Sequence, residues 1–379
     1  MRPVYVTWRD AAGEHRSRWI SPASTSPPKA IPVDDRVNAG AALARARRGE
    51  GLAYTGDFQN ARQLLAALVR RLAPKHPPRG DPRARFLAER RQRALEHEVL
   101  NRLLIPIGGG YEIPLRRAPD CGEALREALG PPPGEEALLP LRELLGMIGA
   151  HEWRRRGVEV AALGGARLHP HYGVFAPVRA EHVDLVAAAA AERTLAGKAA
   201  LDAGTGTGVL AFVLARAGAR VVATDLEARA VACAREGAAA LGLADAVQVV
   251  EADLFPPGDA RYDLVVSNPP WLPGEAASPL ERAIYDPGGA FLSRLLAALP
   301  ARLAPGGEAW IVLSDLAELL GLRPAGDVER LAAAAGLRAE VLREARPSHP
   351  RAKDRGDPLF DVRSRERTLL WRVRAQPVT

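Results

Sequence analysis

Four consecutive residues at the end of an apolar run carry groups suited to chemistry on nitrogen. The run Tyr262–Ser267 is typical of a buried strand, and Asn268-Pro269-Pro270-Trp271 follows it directly. An amide nitrogen is a poor nucleophile because its lone pair is delocalised. The Asn268 side-chain oxygen and the Pro269 carbonyl can accept both N–H groups and aim that lone pair. Trp271 offers a flat face for stacking, so the motif predicts group transfer to a planar nitrogen.

A glycine-rich turn lies upstream, in Asp202-Ala-Gly204-Thr205-Gly206-Thr-Gly208. It follows a short apolar run and precedes a helical pattern, so a strand turns sharply into a helix here. Glycine permits positive φ angles and leaves room for a ligand against the backbone. The Gly-x-Gly-x-Gly spacing differs from the dinucleotide fingerprint, and the P-loop lysine is absent. An aspartate just before the turn suits a cationic donor better than a pyrophosphate.

Each of the next two strand-like runs ends near a carboxylate. Asp225 follows the run Arg220–Thr224, and an acid at this strand tip can accept both hydroxyls of a ribose. Asp253 follows the third strand and can accept from an adenine amino group, with Leu254 or Phe255 against the ring. Each aspartate alone could equally be a helix cap or a turn residue. The ordered set at successive strand ends indicates a donor that carries a nucleoside.

This order of motifs resembles the class I S-adenosylmethionine-dependent methyltransferases over about Gly173 to Val373, roughly half the chain. The resemblance implies a Rossmann-like α/β fold with a seven-stranded sheet, one strand of it antiparallel. It also implies that S-adenosyl-L-methionine binds at the residues just described. Two groups of this class share the Asn-Pro-Pro-aromatic motif: methyltransferases of exocyclic amines in nucleic acids, and HemK-type methyltransferases of a release-factor glutamine.

Further resemblance favours the HemK-type layout. The segment Tyr172-Gly-Val-Phe-Ala-Pro177-Val-Arg179-Ala-Glu181 is similar to the one that precedes the catalytic domain in that group. The stretch Ile284-Tyr-Asp-Pro287-Gly-Gly289 is loosely similar to its glutamate-containing segment. Trp271 stands where tyrosine is usual in the group. This layout implies that a separate N-terminal domain recognises the substrate.

The length of 379 residues and the 47% hydrophobic content allow two domains with sizeable cores. We expect a mainly helical substrate-recognition domain over 1–150, opened by a β-hairpin that turns at Asp10-Ala-Ala-Gly13. Within it, the composition of 21–32 predicts a Pro/Ser-rich linker, and the apolar periodicity of 34–104 predicts helices. A bridging β-hairpin over 151–178 should connect it to the S-adenosylmethionine-binding catalytic domain over 179–379.

After Pro177, strand-like runs alternate with helical stretches, which predicts a mostly parallel sheet with helices on both faces. The predicted strands of this sheet are Ala199–Leu201, Arg220–Thr224, Val247–Val250, Tyr262–Ser267, Glu308–Leu313, Arg338–Leu342 and Thr368–Val373.

The net charge of +7 weakly favours a nucleic-acid or ribosome contact, although arginine-rich composition also fits GC-rich coding. Arginine concentrates in 83–93 and 343–367. Both segments could contact phosphates, but we favour solvated surfaces whose own carboxylates balance the charge. The sequence has no apolar stretch of membrane length and no signal-peptide core, so a cytoplasmic protein is expected. Its cysteines and histidines show no metal-ligand spacing.

We therefore expect an S-adenosylmethionine-dependent N-methyltransferase that acts on a planar amide or exocyclic amine of a macromolecule. Methylation of a protein glutamine is narrowly preferred, and an adenine or guanine amino group of rRNA, tRNA or DNA is the alternative. A non-catalytic nucleic-acid-binding module would belong to another class, and the intact Asn268–Trp271 motif argues against it. The glycine spacing argues against an NAD-dependent oxidoreductase.

Overall fold

The computed structural model describes residues 3–21, 26–276, 280–348 and 350–376. The chain divides into two compact units, and each of them combines two segments of the sequence. The first unit comprises Met1–Arg79 and Leu87–Glu152, and the second comprises Gly80–Phe86 and Trp153–Thr379. Within the described ranges, no helix is both long and apolar enough to cross a bilayer.

The first unit is built on a six-stranded sheet with helices beside it. Its strands are β1 (Tyr5–Arg9), β2 (Glu14–Trp19), β3 (Lys29–Val33), β4 (Glu50–Tyr54), β5 (Leu103–Ile107) and β6 (Ala137–Pro140). Its helices are α1 (Ala39–Arg47), α2 (Phe58–Leu72), α3 (Pro82–Leu100), α4 (Gly122–Leu129) and α5 (Leu141–Arg156). Helices α3 and α5 each cross the division between the units.

The strand order in this sheet is β1-β2-β6-β5-β4-β3, with β3, β4 and β5 parallel to one another. The predicted hairpin at the start of the chain is confirmed, because β1 and β2 pair antiparallel. At its turn, the Asp10 carboxylate accepts the backbone N–H groups of Ala12 and Gly13.

The predicted mainly helical domain over 1–150 missed this sheet. The expected linker over 21–32 is wrong because it ends in β3, and the expected helical stretch over 34–104 is wrong at β4. The last four residues of β4 are all buried, so the strand shows no alternation of apolar and polar positions. A short strand that is buried on both faces cannot be told from a piece of buried helix by periodicity alone.

The second unit contains the remaining elements. Its strands are β7 (Val158–Val160), β8 (Ala166–Leu168), β9 (Ala199–Ala203), β10 (Arg220–Asp225), β11 (Val247–Glu251), β12 (Tyr262–Ser267), β13 (Leu272–Pro273), β14 (Tyr285–Asp286), β15 (Leu303–Ser314), β16 (Leu337–Ala345) and β17 (Thr368–Ala375). Its helices are α6 (Glu181–Ala191), α7 (Val209–Arg216), α8 (Ala228–Ala240), α9 (Ala290–Arg302), α10 (Leu316–Leu319), α11 (Asp327–Ala334), α12 (Pro350–Lys353) and α13 (Phe360–Arg363).

An antiparallel pair, β7 and β8, lies within the segment 151–178 that the sequence predicts as a hairpin. The predicted strands were too long, because residues 153–156 form the last turn of α5. Gly157 then ends that helix at φ 68°, and its N–H donates to the Trp153 carbonyl (2.9 Å). A glycine in the left-handed region just past a helix is a common stop signal.

The seven-stranded sheet of the second unit is confirmed, with the order β11-β10-β9-β12-β15-β17-β16. All seven predicted strands are present in it, and only β17 runs antiparallel to its neighbours. Apolar clusters cover both faces of the sheet, one around Phe212 and the other around Leu296. Burial on both faces explains why these strands read as nearly continuous apolar runs.

The packing of β4 in the first unit predicts how a substitution there changes the stability of the protein. Leu52, in β4, is fully buried, so Leu52→Ala should lower the free energy of unfolding by about 2–5 kcal/mol. Urea unfolding followed by circular dichroism measures this change. Val69→Ala on α2 is the matched control, because Val69 is 44% exposed; it should change stability by less than about 0.5 kcal/mol. Equal, small effects of both substitutions would contradict a packed β4.

Candidate active site

The carboxyl ends of four adjacent parallel strands bring the candidate residues to one edge of the sheet. Ala203 of β9 is level with Thr224 of β10 on one side and with Ser267 of β12 on the other. Asp225 is level with Glu251 of β11. The chain order reverses between β9 and β12, and such a switch point opens a crevice for ligands. The glycine-rich turn, both strand-tip aspartates and the Asn-Pro-Pro-Trp loop all leave from this edge.

The three glycines of the turn after β9 all have positive φ angles, 73°, 55° and 85° at Gly204, Gly206 and Gly208. A Cβ atom on Gly208 would lie 2.4 Å from the Phe212 ring, and one on Gly204 would lie 3.3 Å from the Phe291 ring. A Cβ atom on Gly206 would meet nothing within 4 Å. The turn is therefore packed at its two ends and borders open space at its centre.

Asp202 lies inside the turn, with its side chain buried. Its Oδ2 atom accepts the Thr205 hydroxyl (2.6 Å) and the N–H of Ala211 in α7 (3.1 Å). Burial raises the pKa of the Asp202 carboxyl to about 7. This carboxylate thus ties the glycine turn to the first turn of α7 and changes its charge near neutral pH. Its predicted contact with the donor stays a prediction.

Asp225 stands at the tip of β10, where the sequence places a ribose-binding acid. Its Oδ2 atom accepts the Gly206 N–H (2.9 Å), and its Oδ1 atom accepts the Glu227 N–H (3.0 Å). Burial raises the pKa of Asp225, because desolvation disfavours its charged form. Each carboxylate oxygen retains further lone pairs that can accept a hydroxyl. Leu226 follows and is 65% exposed, an apolar surface beside the acid that sequence reasoning missed.

The third strand tip differs from the expectation in detail. Asp253 is exposed and forms an ion pair with Arg294 of α9. Leu254 has a φ of 64°, and its side chain is buried in the core, which leaves little of it for an adenine ring. Its carbonyl accepts the Thr224 hydroxyl (2.6 Å), which holds this turn. Leu226 is therefore the more accessible apolar surface at this edge.

The acceptor loop after β12 contains a hydrogen bond that the sequence did not reveal. The indole Nε1–H of Trp271 donates to Oδ1 of Asn268 (2.9 Å). Because the indole N–H can only donate, it fixes which end of the Asn268 amide faces it. Pro269 is buried, while Asn268, Pro270 and Trp271 are half-buried. The amide therefore has a defined orientation and remains accessible.

A short parallel pair connects the acceptor loop to α9. Strand β13 directly follows Trp271 and pairs with β14, which ends in the buried Asp286. The Asp286 carboxylate accepts the backbone N–H groups of Phe291 (2.9 Å) and Leu292 at the start of α9. Phe291 in turn lies against Gly204. Asp286, in the segment loosely similar to the HemK-type glutamate segment, is thus a supporting residue for both loops.

Arg323 also supports the acceptor loop and had no signal in the sequence. This arginine is buried, and its Nη2 atom lies 3.4 Å from the Trp271 carbonyl oxygen, to which it donates. Its contact with the carboxylate of Asp327 is long, at 4.0 Å. Burial lowers the pKa of Arg323 from its usual range. Desolvation makes the buried charge of Arg323 costly. Its hydrogen bond to the Trp271 carbonyl restricts the position of the backbone there.

These residues fit a sulfonium-bearing nucleoside. The open space beside Gly206 admits a ligand next to the backbone, Asp225 retains acceptor capacity, and Leu226 offers an apolar surface for a base. Within the described ranges, no group of three histidine, cysteine or acidic side chains is arranged to hold a metal ion. The strand order with its single antiparallel strand, together with this edge, defines a class I S-adenosylmethionine-dependent methyltransferase.

Comparisons with known proteins agree with this class. The methyltransferase small domain family matches residues 165–320. Release factor glutamine methyltransferase of Deinococcus radiodurans is 34% identical over 260 residues, 65% of this chain and 83% of that protein. The protein of that name from Cereibacter sphaeroides is 38% identical over 38% of this chain and 54% of its own length. Ribosomal RNA small subunit methyltransferase C of Chromohalobacter salexigens is 40% identical over 31% of this chain and 32% of its own length.

The chain belongs to the HemK-type family of S-adenosylmethionine-dependent methyltransferases. Its methyl donor is S-adenosyl-L-methionine, as the sequence predicts. The chain spans about half the length of the Cereibacter protein.

The buried Asp202 predicts a pH dependence of donor binding. A carboxyl group with a pKa of about 7 is mostly neutral below that value and mostly ionised above it. The ionised form attracts the positive sulfonium, so affinity for the donor should rise with pH through about 7 and then level off. Titration calorimetry with S-adenosyl-L-methionine at a series of pH values measures this. Asp202→Asn keeps an acceptor oxygen but cannot ionise, so it should flatten the profile; a flat wild-type profile would contradict the prediction.

Proposed function

We propose that this protein transfers the methyl group of S-adenosyl-L-methionine to the side-chain nitrogen of a glutamine in a protein substrate. The observation that carries the proposal is the position of Asn268 directly after β12, the strand next to β9 and its glycine-rich turn. A neutral acceptor group therefore lies beside the place where the donor residues converge. A release factor, the substrate named for two of the relatives, is the preferred protein, which would place the enzyme in the cytoplasm.

The donor supplies an electrophilic methyl carbon, and the chain must present a nitrogen lone pair to it. Asn268 Oδ1 has two lone pairs, one of which accepts the Trp271 indole N–H. The other can accept one N–H of the substrate amide, and the Pro269 carbonyl can accept the second. These two acceptors turn the amide plane so that its lone pair points at the donor. The rate gain comes from alignment by preorganised dipoles.

Trp271 has two separable parts in this arrangement. Its ring can stack on the planar amide of the substrate. Its N–H orients the acceptor oxygen of Asn268. The ring acts on substrate affinity, whereas the N–H acts on the geometry of the reacting nitrogen.

An adenine or guanine amino group is the second candidate substrate, because it too presents two N–H groups in a plane. The rRNA methyltransferase relative, which aligns with 31% of this chain, supports it. Glutamine as the substrate has broader support, because the release factor glutamine methyltransferase of Deinococcus aligns over 83% of its own length.

The direct test is to supply labelled S-adenosyl-L-methionine to a lysate of cells that lack this protein, with purified enzyme added. Protease should release the label and nuclease should not. Purified release factor should then accept the label at a glutamine. Release of the label by nuclease would show that the substrate is a nucleobase and not a glutamine. The absence of any labelled macromolecule would refute the proposed activity.

Asn268→Ala should lower turnover about 10²–10³-fold, the usual cost of losing one preorganised polar group. Its affinity for the donor should stay near the wild-type value, because Asn268 contributes to alignment of the acceptor. Single-turnover kinetics and donor calorimetry measure the two quantities separately. Near wild-type turnover of Asn268→Ala on the true substrate would reduce Asn268 to a turn residue.

Trp271→Phe should separate the two parts of Trp271. The variant keeps a flat ring but loses the N–H that donates to Asn268, so kcat should fall while the acceptor KM changes little. Trp271→Ala should raise KM as well, because stacking of a planar group contributes ~1–3 kcal/mol. Steady-state kinetics on the protein substrate gives both constants. Equal kinetics of Trp271→Phe and the wild type would show that the ring alone matters.

A further inference from the structure

The positive charge of this protein is concentrated at the start of the chain. Residues 1–79 contain fourteen Lys and Arg against six Asp and Glu, a net charge of +8, whereas the whole chain carries +7. All of this segment belongs to the first unit. The rest of the first unit, residues 87–152, contains eight Lys and Arg against eleven Asp and Glu, and the catalytic unit contains thirty against twenty-eight. Any long-range attraction of a polyanion should therefore act on the first unit.

The carboxylates of this segment are already engaged. Each of its six acids has a basic partner within the first unit, in the ion pairs Asp10–His15, Glu14–Arg9, Asp34–Arg36, Asp35–Arg116, Glu50–Arg48 and Asp57–Arg117. The remaining cations of the segment have no carboxylate left nearby in sequence to balance them.

Seven of those cations lie on α1, on α2 and on the segment that follows α2. They are Arg45, Arg47, Arg62, Arg70, Arg71, Lys75 and Arg79, and no ion pair involves them in the described part of the chain. Neither α1 nor α2 contains an acidic residue. We call the outward surface formed by these residues the α1–α2 face.

The fold directs these side chains outward. Strands β3, β4 and β5 are parallel neighbours, so the right-handed crossovers place α1 and α2 on the same side of the sheet. Helix α2 turns Leu64, Leu68 and Leu72 inward and leaves Arg62, Arg70 and Arg71 exposed.

Helix-end electrostatics accounts for only part of this face. Arginines in the last turns of α1 and α2 complement the helix dipoles. Arg62, however, lies in the N-terminal half of α2, where a cation gains nothing from the dipole, and it donates only to the neutral Gln59 side chain (3.2 Å). Lys75 and Arg79 lie beyond the end of the helix and are exposed.

The chemistry of the face distinguishes between polyanions. A protein partner would need apolar or aromatic anchors, because these dominate the energetics of protein interfaces. In the described residues, Val69 is the one large apolar side chain of α2 that is strongly exposed. Guanidinium groups, which make up six of the seven cations, match phosphate with paired donors.

We propose that the α1–α2 face binds the phosphate backbone of RNA, as a site separate from the methyl-transfer edge. The binding is electrostatic and independent of base sequence, because the face presents cations and no stacking platform. It would concentrate the enzyme on RNA-containing assemblies. The proposal does not depend on which nitrogen the enzyme methylates.

The test measures binding of the full-length protein to labelled poly(U) by fluorescence anisotropy over a range of salt concentrations. The variant Arg62→Gln/Arg70→Gln/Arg71→Gln removes three unpaired charges from the face. It should weaken binding and reduce the slope of log affinity against log salt by about 2, since each single-strand phosphate contact contributes roughly 0.7. Donor binding and the circular dichroism spectrum should both be unchanged, which shows that the catalytic unit and the first unit remain folded.

The matched control is Arg9→Gln/Arg36→Gln/Arg48→Gln. It removes the same charge from the same unit, but from arginines already paired with Glu14, Asp34 and Glu50. It should largely keep the wild-type affinity and slope. Equal losses in both triple variants would mean that net charge alone drives binding, and the proposed face would be wrong.

Two other outcomes would also overturn the proposal. The first is no binding of the wild type to poly(U) at low salt. The second is equal affinity for poly-glutamate and poly(U), with the same loss in the first triple variant. That result would assign the face to acidic proteins instead of RNA.

Discussion

The register of β9 between β10 and β12 is the constraint on which the rest of the site depends. Ala203 is level with both Thr224 and Ser267, so the chain leaves three neighbouring strands at one height. The Ser267 hydroxyl strengthens this alignment by donating to the Ala203 carbonyl (2.7 Å). A slip of one residue would turn every side chain of a strand to the opposite face. Donor and acceptor loops can therefore meet only in this register.

Buried polar groups then hold the loops above that edge. Asp202 ties the glycine turn to α7, Asp225 accepts the Gly206 N–H, and Asp286 caps α9, whose Phe291 packs on Gly204. Desolvation raises the pKa of Asp202 and of Asp225, so each charge is held at a cost. If the donor binds beside these two carboxylates as predicted, its positive sulfonium would offset that cost.

The two units differ in how their arginines are paired with carboxylates. In the catalytic unit, arginines of the stretch over 343–367 form ion pairs with carboxylates inside and outside the stretch, for example Arg363 with Asp357 and Arg367 with Asp315. Arg85, at the start of α3, likewise pairs with Asp361. This arrangement matches the solvated, self-balanced surfaces that the sequence favours for both segments. Helices α1 and α2 differ from these stretches because they contain arginines but no acidic residue, a feature that their helical periodicity does not show.

The sequence by itself determined the catalytic fold and the order of the candidate site, because the Gly-rich turn and the Asn-Pro-Pro segment are local signals that mark where apolar runs end as strands. Three features depended on tertiary structure. The sheet of the first unit formed from short apolar strands such as β4, whose pattern does not differ from a buried helix. Leu254 is buried in the core, whereas Leu226 is exposed. The Trp271–Asn268 hydrogen bond depends on the conformation of the loop, which spacing does not encode. The β13–β14 pair directly follows that loop, and Arg323 contacts its Trp271 carbonyl.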